Sequence, residues 1–122
     1  MSQQSDSQTT GQHDLVVTVE SSEDGVARIV LAGELDLANA HEVHERLPEA
    51  TAAAGHVVVD LSGLTFIDST GIRLLLQLQK AAARDGWQLR LVPGPSQVQK
   101  VLRLVGLEDR LPFVEGGQGP SS

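Results

Sequence analysis

The chain has 122 residues, the size of one small domain; 40% are hydrophobic but only 2% aromatic, so any core must be built from Leu, Val, Ile and Ala. Sixteen acidic against nine basic side chains give a net charge of −7, which repels a phosphate backbone and, with Phe66, Trp87 and Phe113 as the only aromatics, argues against direct nucleic-acid binding. The absence of cysteine excludes disulfides, thiolate catalysis and cysteine-type zinc sites. No run approaches the ~20 apolar residues of a membrane span. The first residues lack the basic and apolar make-up of a secretory signal, so a cytoplasmic protein is expected.

Residues 1–13 are polar and low in complexity and are expected to form a disordered tail, as is GGQGPSS at 116–122. One folded unit over 14–115 remains. Leu15–Val19 is short and valine-rich, which predicts a strand. Ser21–Gly25 (SSEDG) predicts a turn, and Val26–Gly33 a second strand in a hairpin with the first. Glu34–Ala40 (ELDLANA) leads into a helix, with Asp36 or Asn39 as its candidate cap and Val43, Leu47 and Ala50 on one face. Pro48 inside that helix costs ~3 kcal/mol, which predicts a kink, or a stop near Arg46 and a restart. Gly55 is the expected C-terminal cap.

His56–Asp60 (HVVVD) is a continuous apolar run, as in a central strand buried on both faces. A helix is expected from about Ser69 to Arg84. Its buried face would carry Ile72, Leu75, Leu76, Gln79, Ala82 and Ala83, with Leu74 at the margin and Arg73, Gln77 and Lys80 in solvent. Gln88–Val92 predicts a strand, and Ser96 caps an expected helix over Gln97–Leu104 that Val105 and Gly106 end. Arg110–Glu115 reads as a last short strand, confined to an edge by Pro112. The order β-β-α-β-α-β-α-β predicts a single α/β domain. Its sheet is mixed, with about four to five strands and helices packed on it.

The segment Asp68-Ser69-Thr70-Gly71 concentrates an acid, two hydroxyls and a glycine between a strand and a helix. A cap by Asp68, Ser69 or Thr70 accounts for part of it. Gly71 costs ~1 kcal/mol against alanine in a helix and leaves bare surface that another backbone can approach. An aspartyl protease places its acid two residues before the glycine, and here the separation is three. A serine-hydrolase elbow needs G-x-S-x-G, and neither flanking glycine matches. Of His13, His41, His44 and His56, only His41 and His44 have a spacing that could share a metal. The sequence specifies no third ligand, and surface histidines are the plainer reading. Neither G-x-x-x-x-G-K-[ST] nor G-x-G-x-x-G occurs, so no cofactor and no enzymatic activity are expected. The serine then reads as a substrate.

The block VVVDLSGLTFIDSTG (57–71), with LAGELDLANA (31–40) upstream and GPSQVQKVLRLVGLEDRLPFVE (94–115) downstream, resembles the STAS domain of bacterial anti-sigma factor antagonists, or anti-anti-sigma factors. The resemblance spans Leu15 to Val114. It implies a phosphoprotein that regulates transcription by partner switching. The hydroxyl after the motif aspartate, Ser69, would be phosphorylated, with Thr70 the competing acceptor. The partner would be an anti-sigma factor Ser/Thr kinase, bound by the unphosphorylated chain so that a sigma factor is freed. A metal-dependent phosphoserine phosphatase would reset the switch. Asp36 and Asp68 would orient or contact the kinase, Thr70 and Gly71 complete the motif, and Ile72, Arg73 and Leu74 are further candidate contacts. The resemblance leaves a second reading, a STAS subunit of a membrane transport complex. No membrane contact is otherwise expected, and the free chain is expected to be a monomer. A phosphate at a helix N-terminus would meet free amides and the dipole, so the fold should survive modification and the penalty fall on the partner's surface.

Overall fold

A computed structural model describes residues 15–22 and 24–114. The expected tails, and the boundary residues Asp14 and Glu115, lie outside the described residues. β1 (Leu15–Ser21) and β2 (Val26–Leu35) form the anticipated antiparallel hairpin, with Val17 opposite Leu31 and Val19 opposite Ile29. β2 pairs in parallel with β3 (His56–Ile67), and β3 in parallel with β4 (Gln88–Val92), giving the order β1-β2-β3-β4. Three helices connect and follow the parallel strands: α1 (Ala40–Ala53), α2 (Ser69–Asp85) and α3 (Ser96–Leu104). This is the α/β class and mixed sheet that the sequence predicts. The last expected strand, Arg110–Glu115, shrinks to a single parallel bridge between Phe113 and Leu91. Pro112 lends its carbonyl to Leu91 but has no amide to extend a ladder.

One face of the sheet makes the core. Val17 and Val19, then Ala27, Ile29 and Leu31, then Val57 and Val59, then Leu89 and Leu91 stand in register across the four strands. They meet Val43 and Ala50 of α1, Leu74, Leu75, Leu78 and Ala82 of α2, and Val98 and Leu102 of α3. Each fully buried Leu or Ile contributes about 1.5–3 kcal/mol relative to exposure. On the other face Val58 is also buried, so the HVVVD run is covered on both sides as expected, and Arg28 pairs with Asp60 at 3.2 Å. Arg46 on α1 donates to the Val17 carbonyl at 3.0 Å and ties that helix to the edge strand.

Several local expectations fail for physical reasons. α1 runs unbroken through Pro48. Pro48 and His44 are both exposed, so the carbonyl that the proline leaves without an amide can meet water. Gly55 does not cap α1. The cap is Ala54 in extended backbone, and Gly55 is not among the glycines of positive φ. Asn39 occupies the N-cap position of α1 but makes no capping bond with its side chain, and Asp36 bonds Ala38 instead. Ser96 is the first residue of α3 rather than its cap, which is Pro95.

The buried stripe of α2 is Gly71, Leu74, Leu75, Leu78 and Ala82, rotated from the expected face. Leu74, placed at the margin by sequence, is 1% exposed, whereas Ala83 is exposed. The rotation follows from Gly71. A Cβ there would lie 2.7 Å from Ile67 Cγ1 and 2.9 Å from Leu35 Cγ. The glycine therefore lets side chains of the two strand ends, rather than another backbone, reach the helix, and the phase of α2 is set at its first turn.

β3 is longer than its apolar run, and its pairing with β2 shifts twice, between Val30 and Ala32 and between Gly33 and Glu34. Each shift places an extra residue on the β3 side. Leu64 and Ile67 both stay buried, Phe66 is turned to solvent, and Ile67 finishes opposite Leu35.

Candidate functional site

Because Leu35 and Ile67 are register partners, Asp36 and Asp68 leave the sheet side by side, at the carboxyl ends of two neighbouring parallel strands. Ligands in open α/β sheets commonly sit beyond this end. The two exits are built differently.

At the second exit Asp68 is itself the helix cap. Its backbone is extended, and its Oδ1 accepts from the amides of Thr70 at 2.9 Å and Gly71 at 3.0 Å. Its Oδ2 accepts from the Leu37 amide at 3.2 Å, across the gap between the exits. Its own amide donates to the Leu35 carbonyl at 3.2 Å. Neither hydroxyl is the cap. Ser69 is exposed, and its Oγ makes no hydrogen bond among the described residues. Thr70 is half-buried. Two amides of the first turn are already taken by Asp68, so an incoming phosphate would find fewer free donors than expected and a carboxylate beside it.

At the first exit four residues form a turn before α1 begins. Asp36 is 5% exposed, and its Oδ1 accepts from the Ala38 amide at 3.0 Å. Asn39, also buried, accepts from the Asp36 amide at 3.0 Å and donates to the Glu34 carbonyl at 2.8 Å. The Asp36 carbonyl in turn accepts from the amides of Asn39 and Ala40. The turn is thus held from within by two polar side chains, and from the neighbouring exit by Asp68.

Of the other residues singled out by sequence, Gly71 and Leu74 belong to the core. Leu74 therefore offers no surface to a partner, because its side chain fills the space between α2 and the sheet. Ile72 is half-buried and Arg73 is exposed beside Ser69. His44 stands 2.9 Å from Gln77, and no group of three metal-ligating side chains gathers among the described residues.

Sequence reasoning missed two residues. Leu37 is 77% exposed and Phe66 47% exposed, and with Asp36, Ala38 and Asp68 they line an open hollow of about 380 Å³. The one signal was Leu37, a large apolar residue inside a polar cap segment. A larger cavity, about 580 Å³, lies between the end of β4 and α3. Three of its polar side chains hold one another: Arg103 and Gln99 hold Glu108 at 3.0 and 3.1 Å, and Gln99 accepts from the Gly94 amide. Those two side chains keep the Glu108 carboxyl below its ordinary pKa. The hollow that Asp68 helps to line, though smaller, is the one next to the motif.

No helix among the described residues is long and apolar enough to cross a membrane. Osmosensory protein A of Mycobacterium tuberculosis is 30% identical over 73 residues, 60% of this chain but only 46% of that protein. The anti-sigma-B factor antagonist of Staphylococcus aureus is 25% identical over 97 residues, 79% of this chain and 90% of that one. An anti-sigma factor antagonist from Mycobacterium paratuberculosis shares the fold with a TM-score of 0.74 at 20% identity, over 86% of this chain and 89% of that one. The Bacillus cell fate determinant SpoIIAA in its phosphorylated form does so with a TM-score of 0.62 at 21% identity, over 81% and 89%. The family model described as "Mlab, STAS domain" matches residues 18–115, which takes in the sheet from the middle of β1 onward, all three helices and both strand exits; this chain belongs to the STAS domain family.

Proposed function

We propose that this chain is an anti-sigma factor antagonist, a regulatory binding protein without catalytic activity, working in the cytoplasm. The unphosphorylated form binds an anti-sigma factor Ser/Thr kinase and so frees a sigma factor. Phosphorylation at Ser69 ends that binding, and a phosphoserine phosphatase restores it. The observation that carries this reading is the division of roles at α2: Asp68 holds the helix start, while the Ser69 hydroxyl is exposed and makes no hydrogen bond among the described residues. A kinase can reach such a hydroxyl without unfolding anything. The likeness to the Staphylococcus aureus antagonist, over nearly all of that protein, supports the same role.

Phosphate adds about −1.5 to −2 charges at neutral pH. Asp68 is adjacent in sequence and Asp36 stands at the neighbouring exit. A dianion there has no compensation once a partner closes over it, so the effect is local and the fold persists.

Incubation with candidate anti-sigma kinases and labelled ATP, followed by mass-spectrometric mapping, tests the reading. Label is expected on Ser69 and absent from Ser69→Ala, which should bind constitutively. Ser69→Asp, and better the phosphoprotein, should lose binding with an unchanged melting curve. Label on Thr70 alone would move the acceptor, and global unfolding of the phosphoprotein would reject the local mechanism. Capture of a transporter ATPase instead of a kinase would favour a subunit of a membrane transport complex.

A further inference from the structure

We propose that two copies of this chain pair through the open face of the sheet, in place of the monomer expected from sequence. β2, β3 and β4 follow one another in one direction across the sheet, and crossovers between parallel strands are right-handed. The helices are thereby placed on one face, where the core lies. Val16, Val26, Val30, Val58 and Val92 alternate with the core positions and lie outside that core. Parallel strands are almost always covered on both faces, so this second face calls for a second layer.

Three observations commit that layer to another copy of the chain. First, the chain's own remaining segments do not supply it. Residues 1–14 and 115–122 carry a single large apolar side chain, Met1. Second, both sheet edges are partly taken. Arg46 holds the Val17 carbonyl on β1, and the Pro112 carbonyl and Val114 amide hold Leu91 on β4. Pairing edge to edge is thereby disfavoured, and copies are left to meet by their faces.

Third, the charges of the face are complementary to themselves. Glu20, Arg28, Val58 and Arg90 stand in one row across the sheet. The inner charge is already paired: Arg28 lies 3.2 Å from Asp60, whose other oxygen accepts from Ser62. Glu20 and Arg90 are exposed and make no ion pair among the described residues, and they stand on opposite outer strands. A twofold axis parallel to the strands, between two stacked sheets, lays β1 of one copy over β4 of the other. It brings Glu20 of each copy to Arg90 of the other, so both end charges are matched. Sheets packed face to face keep their strands nearly aligned, as this axis requires. Both copies then present Ser69 at the same end of the dimer, at the strand exits and not in the interface.

The face measures about 19 by 23 Å, or about 440 Å² in projection. A standard interface buries about 800 Å² per partner, so the dimer is weak, with a Kd of about 10–100 µM.

Sedimentation equilibrium of the full chain from about 1 µM to about 1 mM tests the proposal. Wild type should pass from monomer to dimer. Glu20→Arg and Arg90→Glu should each weaken self-association about tenfold or more, because each sets like charges together at two contacts. Both side chains are exposed, so unfolding midpoints should stay near wild type. An equimolar mixture of the two variants should dimerise again, since each contact of the mixed pair is Arg against Glu. Ser69→Asp should dimerise like wild type. A wild-type chain that stays monomeric at about 1 mM overturns the proposal. So do dimers that ignore both reversals, a mixture that fails to rescue, or loss of the dimer in Ser69→Asp. Self-association needs no other protein, so any of these results leaves the regulatory reading standing.

Discussion

The two strand exits begin from equivalent positions and solve the same problem in opposite ways. Both must turn a parallel strand into a helix, and both start with an aspartate after a buried apolar residue, Leu35 or Ile67. At Asp68 the turn has no length: one residue caps α2 directly. At Asp36 the turn runs through Asn39, and its side chains bond the turn itself rather than the helix. The short exit presents a hydroxyl, Ser69, and the long one presents an apolar side chain, Leu37. Asp68 joins them, since one carboxylate oxygen serves each exit. A single acid thus sets the position of an exposed hydroxyl relative to an apolar wall.

The sharpest way to break that pairing is to separate the exits from below. Gly71→Val places a branched side chain where even a Cβ would lie under 3 Å from Ile67 and Leu35. Overpacking of this kind destabilises by about 1–3 kcal/mol, and the upper part of that range is expected in urea unfolding, because both neighbours are buried mid-chain atoms. An unchanged midpoint would show that α2 can slide on the strand ends, and that its phase is set elsewhere.

Next in size is the linking acid. Asp68→Ala removes the acceptor of three amides, and a loss of about 2 kcal/mol is expected. Asp36→Ala should cost less, about 1 kcal/mol, since the Ala38 amide that its carboxylate accepts lies within its own turn and does not bridge the exits. If the order is reversed in denaturant titrations, Asp68 is not the joint between the exits.

How much of this was readable from sequence depends on what decided each feature. The hairpin, the buried HVVVD strand and an acid at the start of α2 were decided by local chemistry, and local chemistry is what sequence displays. The phase of α2 was not, because its first buried residue is Gly71, which carries no apolar signal and is recognised only from the side chains that press on it. Pro48 misled for a related reason: its penalty depends on whether the orphaned carbonyl faces core or water, and here that side of α1 is exposed. Phe66 was hidden by the two register shifts in β3. They break the alternation that would have assigned it a side. The motif Asp68-Ser69-Thr70-Gly71 was legible as a unit. Its internal division into a cap, an exposed hydroxyl, a half-buried neighbour and a core contact was not.

A control outside both exits, beside α3, sharpens the role of geometry over charge. Glu108 is held by Arg103 and Gln99, and both lower its pKa. A depressed carboxyl contributes stability that is present above its unfolded pKa and is lost as pH falls through the folded value. Glu108→Gln should therefore destabilise by less than about 1 kcal/mol near pH 7, because the pair is partly exposed. The difference from wild type should close in the acid range below the ordinary glutamate pKa. A gap that persists unchanged there would mean the side chain acts through packing, not ionisation.

The smallest effect is expected at the residue on which the proposed switch turns. Ser69→Ala removes a hydroxyl that is exposed and has no hydrogen bond among the described residues, so unfolding free energy should stay within about 0.5 kcal/mol of wild type. Any shift should favour the variant slightly, since alanine is the better helix former. That near-silence separates the two neighbours: Asp68 shapes the helix start, and the Ser69 hydroxyl stands exposed because the helix does not use it. A loss above about 1 kcal/mol in Ser69→Ala would mean that the hydroxyl is tied into the first turn after all. A kinase would then have to break a structural bond to reach it, and the separation between the acid that builds the site and the hydroxyl that reports on it would be lost.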